Sequence, residues 1–252
     1  MTMLTDPLLE GYRIVDSAGK NNLVVRLIGG LGVAAHNHRP LPPELEREFA
    51  DIDLVIGRKD GRALSDFLVG IGYEANQRFN SLHGAKRMLF YDKENQRQVD
   101  VFVSQFQMCH SLVLEQHLKI HPRSLTPEHL LLTKLQIVEI NRKDLLDVLR
   151  ILYMHWNVDL PNECPGFSIE RLNEVLSHDW GWFTTVNDNL EKVKSFAPTV
   201  LSQEKADEVL KSTHDLQQRI ESSPKSTKWK TRALVGRRKV WYEIPEEVNG
   251  RA

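Results

Sequence analysis

The stretch Leu23-Val-Val-Arg-Leu-Ile28-Gly29-Gly30, followed by Ala50-Asp51-Ile52-Asp53-Leu54-Val55-Ile56, decides how this chain is read. Leu23 to Ile28 is apolar and β-branched and runs directly into two glycines, the pattern of a buried strand ending in a tight turn. Ala50 to Ile56 reads as a second strand. Residues two apart on a strand point to the same face. Asp51 and Asp53 therefore share one face, while Ile52 and Leu54 pack into the core behind them. Glycines after a strand let backbone N–H groups approach an anion with no side chain between. Two carboxylates on one face suit Mg2+, which takes hard oxygen ligands and keeps several waters.

Outward from this pair, Leu31 to Ala35 starts a helix, and the prolines between Asn37 and Pro43 mark a loop. Arg62 to Gly70 has helical spacing, with Leu64, Phe67 and Leu68 on one side. Ile71-Gly-Tyr73 reads as the start of another strand. Arg87 to Tyr91 and Gln98 to Val103 are two more, joined by a polar hairpin loop. Within the last of these, Val99, Val101 and Val103 take one face and Asp100 the other. An acid inside such a strand is costly unless it is paired or metal-bound. If this strand neighbours Asp51 and Asp53, the three carboxylates converge on a two-metal arrangement. One ion would activate an attacking hydroxyl and the other neutralise a leaving pyrophosphate.

The second half is helical. Thr126-Pro127-Glu128 predicts a helix start, with a capping hydroxyl, proline in the first turn and an acid near the positive helix end. Leu130, Leu131, Leu135 and Val138 follow at helical intervals, and Leu145, Leu146, Leu149 and Leu152 continue the pattern. Pro161 and Pro165 break it. Ser168 to Phe196 and Ser202 to Ile220 predict two further amphipathic helices, each with a serine at the cap. Lys225 to Lys239 holds seven basic residues and no acid, with Trp229 and Trp241 in or beside it. This tail could bind RNA phosphate, with a tryptophan stacked on a base. Docking on the chain's own acidic surface is the favoured reading. The expected fold class is α/β (α+β), a small mixed sheet with flanking helices followed by a helical region. The expected organisation is a catalytic domain over 1–120, a helical domain over 121–222 and a basic tail over 223–252.

Composition narrows the function classes. The 252 residues are 41% apolar and 27% charged, with a net charge of −1, which argues against coating nucleic acid through overall charge. Cys109 and Cys164 form no metal-binding spacing, so free thiols in a reducing cytoplasm are expected. The N-terminal Met1 to Arg13 is too polar for a signal peptide, and no apolar run approaches the roughly 20 residues needed to cross a bilayer. His36 and His38 read as ordinary loop residues. Cys109-His110 suggests a nucleophile and base only if their opposite directions on a strand are ignored.

Taken in order, Leu27-Ile-Gly-Gly-Leu-Gly, Asp51-Ile-Asp-Leu-Val-Ile and Val99-Asp100-Val-Phe resemble the signature of the nucleotidyltransferase superfamily. That family places a hydrophobic-Gly-Gly turn before an Asp-x-Asp strand and a third carboxylate on a later strand. The spacing is similar to that of lincosamide and aminoglycoside nucleotidyltransferases, which act in antibiotic resistance, and of abortive-infection toxins of toxin–antitoxin systems. The resemblance covers roughly residues 23 to 152 and implies metal binding by Asp51, Asp53 and Asp100. It implies phosphate contacts from Gly29 and Gly30 and from Lys134, a basic contribution from Arg47 ahead of the acidic strand, and completion of the site by Asp144 or Asp147. Arg87 is a further candidate for phosphate or acceptor, with a solvated strand-edge charge as the alternative. Leu31 departs from the pattern, since toxin-like members often carry a small hydroxyl residue there.

The expectation is therefore an enzyme dependent on Mg2+, with Mn2+ as the alternative, that moves a nucleoside monophosphate from a nucleoside triphosphate to a hydroxyl. The acceptor could be a small molecule, a tRNA or a protein. The competing reading is a non-catalytic RNA-binding or toxin–antitoxin interaction module on the same fold.

Overall fold

The computed structural model describes residues 3–156 and 166–244, so Cys164, Pro161 and Pro165 lie outside the described residues. The first element, helix α1 (Pro7–Lys20), is not among the expected ones. Asp6 caps it by accepting from the Leu9 N–H at 2.8 Å, and Pro7 opens the first turn. Its apolar face of Ile14, Val15 and Ala18 is buried against the sheet.

Strand β1 (Val25–Leu27) leads through Ile28 into the short helix α2 (Gly29–Ala34). After the proline-rich loop come β2 (Ile52–Ile56), α3 (Gly61–Gly70), β3 (Glu74–Ala75) and α4 (Gln77–His83). Ile71 to Tyr73 is not the expected strand start. Ile71 ends α3, and the strand begins at Glu74. The hairpin of β4 (Arg87–Asp92) and β5 (Arg97–Val103) follows, then the small pair β6 (Gln105–Gln107) and β7 (Ser111–Val113).

The main sheet runs in the order β1-β2-β5-β4-β3. Only β2 and β5 pair in parallel, and their register sets Asp53 directly beside Asp100. Ile52, Leu54, Val99 and Val101 belong to the core shared with α1, whereas Val55 and Phe102 belong to the core shared with the helical half. By the two-residue alternation of strands, Asp53 and Asp100 lie on the face turned towards the helices.

That helical half begins with α5 (Pro127–Leu135), α6 (Arg142–His155) and α7 (Ile169–Leu176) and continues with α8 (Trp180–Val200), α9 (Gln203–Ser222) and α10 (Thr227–Val235). Thr126 does not cap α5; its hydroxyl is drawn to Glu128 and His129 instead. Ser168 caps α7 as expected, but Ser202 makes no capping bond. The single helix expected from Ser168 to Phe196 is two. Asp179 interrupts it by accepting from the N–H groups of Gly181 and Trp182, which starts α8 afresh.

The basic tail is folded and docked. Trp229 packs edge-on against Phe183, Arg237 forms a two-point ion pair with Asp188 at 2.6 and 2.9 Å, and Trp241 donates to the Thr185 hydroxyl at 3.0 Å. The Glu243 N–H reaches the Cys109 carbonyl at 2.9 Å. Among the described residues, no helix is long and apolar enough to cross a membrane.

Candidate active site

Gly29 sits at φ +60°, in the left-handed region that side chains resist. A Cβ there would lie 2.1 Å from Asp53 Oδ2, and one at Gly30 would lie 1.9 Å from Arg47 Nη2. The two glycines thus make room for a carboxylate and a guanidinium, where the sequence alone suggested room for phosphate.

Asp51 lies just ahead of β2 and is exposed, Asp53 is partly buried on β2, and Asp100 is buried on β5. Arg87, opposite on β4, grips both carboxylate oxygens of Asp100: its Nε donates to Oδ1 at 2.7 Å and its Nη2 to Oδ2. The same guanidinium lies over the Phe102 ring. Arg87 is therefore no solvated edge charge; it orients an acid of the cluster.

Across the cleft, Lys134 donates to Asp144 at 2.8 Å and lies 2.9 Å from Asp147 Oδ2. Asp147 in turn takes two bonds from Arg47, both at 2.8 Å, and Arg47 rests on the Phe49 ring. Asn141 caps α6 through the Asp144 N–H and also donates to that carboxylate at 2.8 Å. Lys134 and Asp144 are not a helix surface pair. Both are buried.

Five carboxylates (Asp51, Asp53, Asp100, Asp144, Asp147) therefore surround three paired cations. Arg87 is committed to Asp100, and Lys134 and Arg47 to the α6 acids. Asp51 and Asp53 have no ion-pair partner among the described residues. Burial, followed by the charge of Asp100, pushes Asp53 up to about 7; Asp51 adds to this, and Lys134 and Arg87 work against it. A hard divalent ion fits this donor set, because it supplies the positive charge that the acids lack and all the donors are oxygen.

Asp51, Asp53 and Asp144 open on a cleft of about 590 Å³ that Gly30, Arg47, Phe49 and Lys134 also line, with Arg142 and Lys143 at its rim. Sequence reasoning missed Phe49 and Asn141, while Arg142 and Lys143 belong to the Arg/Lys-Asp-x-x-Asp stretch that the resemblance places beside the nucleotide. Asn141 had a signal, since Asn followed three residues later by an acid is a helix-cap pattern. His36 and His38 are not ordinary loop residues either: they gather with His155 from the last turn of α6. Cys109 and His110 lie in the bend between β6 and β7, where the Cys109 thiol accepts from the Val138 N–H and His110 bonds Thr185.

No family model and no curated protein matches the chain. Solved structures similar to it include two nucleotidyltransferase-type proteins. One is the lincomycin-bound crystal structure of the lincosamide antibiotic adenylyltransferase LnuA, at 17% identity and a TM-score of 0.43, covering 60% of this chain and 98% of that one. The other is an antigenic nucleotidyltransferase-like protein from Paracoccidioides brasiliensis, at 13% identity and a TM-score of 0.40, covering 88% of this chain and 95% of that one. What the cleft can do is read from its own residues.

Proposed function

We propose that this protein is a metal-dependent nucleotidyltransferase, moving a nucleoside monophosphate from a nucleoside triphosphate to an acceptor hydroxyl. The observation that carries this reading is the parallel register of β2 and β5, which sets Asp53 beside Asp100 on the face that opens to the cleft. Asp51, Asp53 and Asp100 would hold Mg2+ or Mn2+. The ion would offset triphosphate charge and lower the barrier to releasing the hydroxyl proton. The acceptor oxygen forms a bond to the α-phosphorus, the bond to the β-phosphate oxygen breaks, and pyrophosphate leaves. The hydroxyl proton passes to the carboxylate cluster, and Arg87, which grips Asp100, is a positioning residue.

A triphosphate also needs cations that are not already spent. Arg142 and Lys143 line the cleft and form no salt bridge among the described residues, whereas Lys134 and Arg47 are tied to Asp144 and Asp147. Arg142 and Lys143 therefore meet the β- and γ-phosphates, and Lys134 and Arg47 set the shape of the wall behind them. The acceptor classes remain those of the sequence reading: a small molecule, a tRNA or a protein hydroxyl. The docked tail gives no separate support to RNA binding, because Trp229 and Trp241 are engaged with the protein itself.

The test is pyrophosphate release from each of the four ribonucleoside triphosphates with Mg2+ or Mn2+ and a panel of hydroxyl acceptors. Activity is expected to fall at least about a thousandfold in Asp51→Ala/Asp53→Ala. Equal turnover in wild type and variant sinks the proposal.

A further inference from the structure

The imidazoles of His36, His38 and His155 converge at the far end of α6 from the acidic cleft. Their ligand nitrogens all lie within 4.8 Å of one another. The three rings stand nearly perpendicular in pairs, at 77° to 82°, with centroids 4.9 to 5.9 Å apart. His155 is eight residues past Asp147, about 12 Å along a helix that rises 1.5 Å per residue. The cluster is thus separate from the carboxylates.

The polar accounting at this place does not close within the protein. His155 is 4% exposed, and neither of its ring nitrogens has a hydrogen-bond partner among the described residues. His36 is 2% exposed, with its Nε2 2.8 Å from the Leu125 carbonyl and 2.7 Å from the Ser124 hydroxyl, and its Nδ1 unpartnered. In the tautomer that donates from Nε2 to that carbonyl, Nδ1 presents its lone pair. A backbone carbonyl on the distal N–H is the usual outer support of a metal-bound histidine.

The chain also holds the cluster in place. Asn37, between the two loop histidines, accepts from Arg150 on α6 at 2.9 and 3.1 Å. Arg39, just past His38, bonds the Tyr153 carbonyl on the same helix and lies over the Tyr153 ring. The loop histidines are thereby clamped against the helix turn that carries His155.

We propose that His36, His38 and His155 form a second metal site, selective for a borderline divalent transition ion, Zn2+ foremost, with a fourth position open to water. Three nitrogen donors with no carboxylate disfavour Mg2+ and Ca2+ and suit Zn2+ or Co2+. The ion would fasten the loop after α2 to the end of α6.

The test uses the full chain, stripped with EDTA and carrying Asp51→Asn/Asp53→Asn so that the cleft does not compete. Titration with Co2+ is expected to give one equivalent bound per chain, with the visible absorption of a low-coordinate nitrogen site, and Zn2+ should displace it. In His155→Gln and in His38→Gln, binding should weaken at least about tenfold. His38 is only partly buried and sits on a loop, so if His155→Gln fails to fold by circular dichroism, His38→Gln decides. Substoichiometric Co2+ binding, or unchanged affinity in the folded variants, overturns the proposal. Because the readout is binding and not nucleotidyl transfer, it stands or falls apart from the function proposed for the cleft.

Discussion

Arg47 and Asp147 meet through two parallel hydrogen bonds of 2.8 Å each, tying the segment ahead of β2 to the first turns of α6. Asp147 is 1% exposed and also holds Lys134. It is the hinge-pin between the sheet half and the helical half. Burial alone would raise its pKa, but Lys134 and then Arg47 outweigh burial and hold it below the usual carboxylate range. A depressed pKa of this kind gives stability that is present above the unfolded value and is lost as pH falls through the folded one. Asp147→Ala removes the partner of two partly or fully buried cations. It should cost about 3–5 kcal/mol in urea unfolding at pH 7. The gap between variant and wild type should shrink below pH 4, where wild type loses the same contribution. A loss under 1 kcal/mol would show that the tie is incidental.

Asp53 has the opposite sign. Its folded-state pKa is raised to about 7, so the folded protein binds a proton that the unfolded chain has already released. Stability from this residue is therefore full below about pH 4 and falls as pH rises towards 7. Without divalent metal at pH 8, Asp53→Asn should melt a few degrees higher than wild type. Added Mg2+ should raise the melting temperature of wild type and leave the variant nearly unmoved. A lower melting temperature for metal-free Asp53→Asn would contradict the electrostatic account.

Gly29→Ala combines a backbone penalty with a collision, since φ is +60° and the new Cβ would meet the Asp53 carboxylate. We expect a loss of about 1–3 kcal/mol from the left-handed conformation and displacement of Asp53. Gly30→Ala has no such backbone cost; its Cβ displaces the Arg47 guanidinium and the Phe49 edge and so loosens the tie to Asp147. In an Arg47→Ala background the stability loss from Gly30→Ala in denaturant melts should therefore shrink, while that from Gly29→Ala persists. A Gly29→Ala loss that vanishes in that background would place the strain elsewhere.

Arg87→Lys keeps the charge but not the fork that grips both oxygens of Asp100. The expected result is a fall in kcat of about 10 to 100-fold, with KM for the nucleotide within a few-fold of wild type, as for loss of orientation at a catalytic group. A change confined to KM would mean that Arg87 binds substrate directly.

The features written locally were legible. The alternation through Asp51-Ile-Asp53 and through Val99-Asp100-Val101 obeys the strand period, and the structure puts the apolar partners in the core behind the acids. Helix α1 also carried its own signal in Asp6-Pro7, though the eye is drawn first to the glycines. What the sequence hid was partnership at a distance. Nothing near Arg87 announces that it grips Asp100, nothing near Arg47 points to Asp147, and nothing near His36 points to His155. Such pairings come from how strands and helices pack, and a periodic pattern carries no information about which elements will touch. The split between α7 and α8 was hidden for another reason: Asp179 in an otherwise continuous amphipathic run reads as a surface acid until its carboxylate is seen holding two backbone N–H groups.

The parallel register of β2 and β5 has a consequence for the order in which the molecule is made. A ribosome delivers Asp51, Asp53, Arg87 and Asp100 well before Lys134 and Asp147. A first half that folds as it emerges closes the parallel β2–β5 pair, across α3, β3, α4 and β4, while its acids face solvent without the lysine that later stands opposite them. Docking of α5 and α6 then does two things at once: it covers the apolar face around Val55 and Phe102 and brings positive charge to Asp53. Birth of the cleft and completion of the core are a single event in the life of the nascent chain.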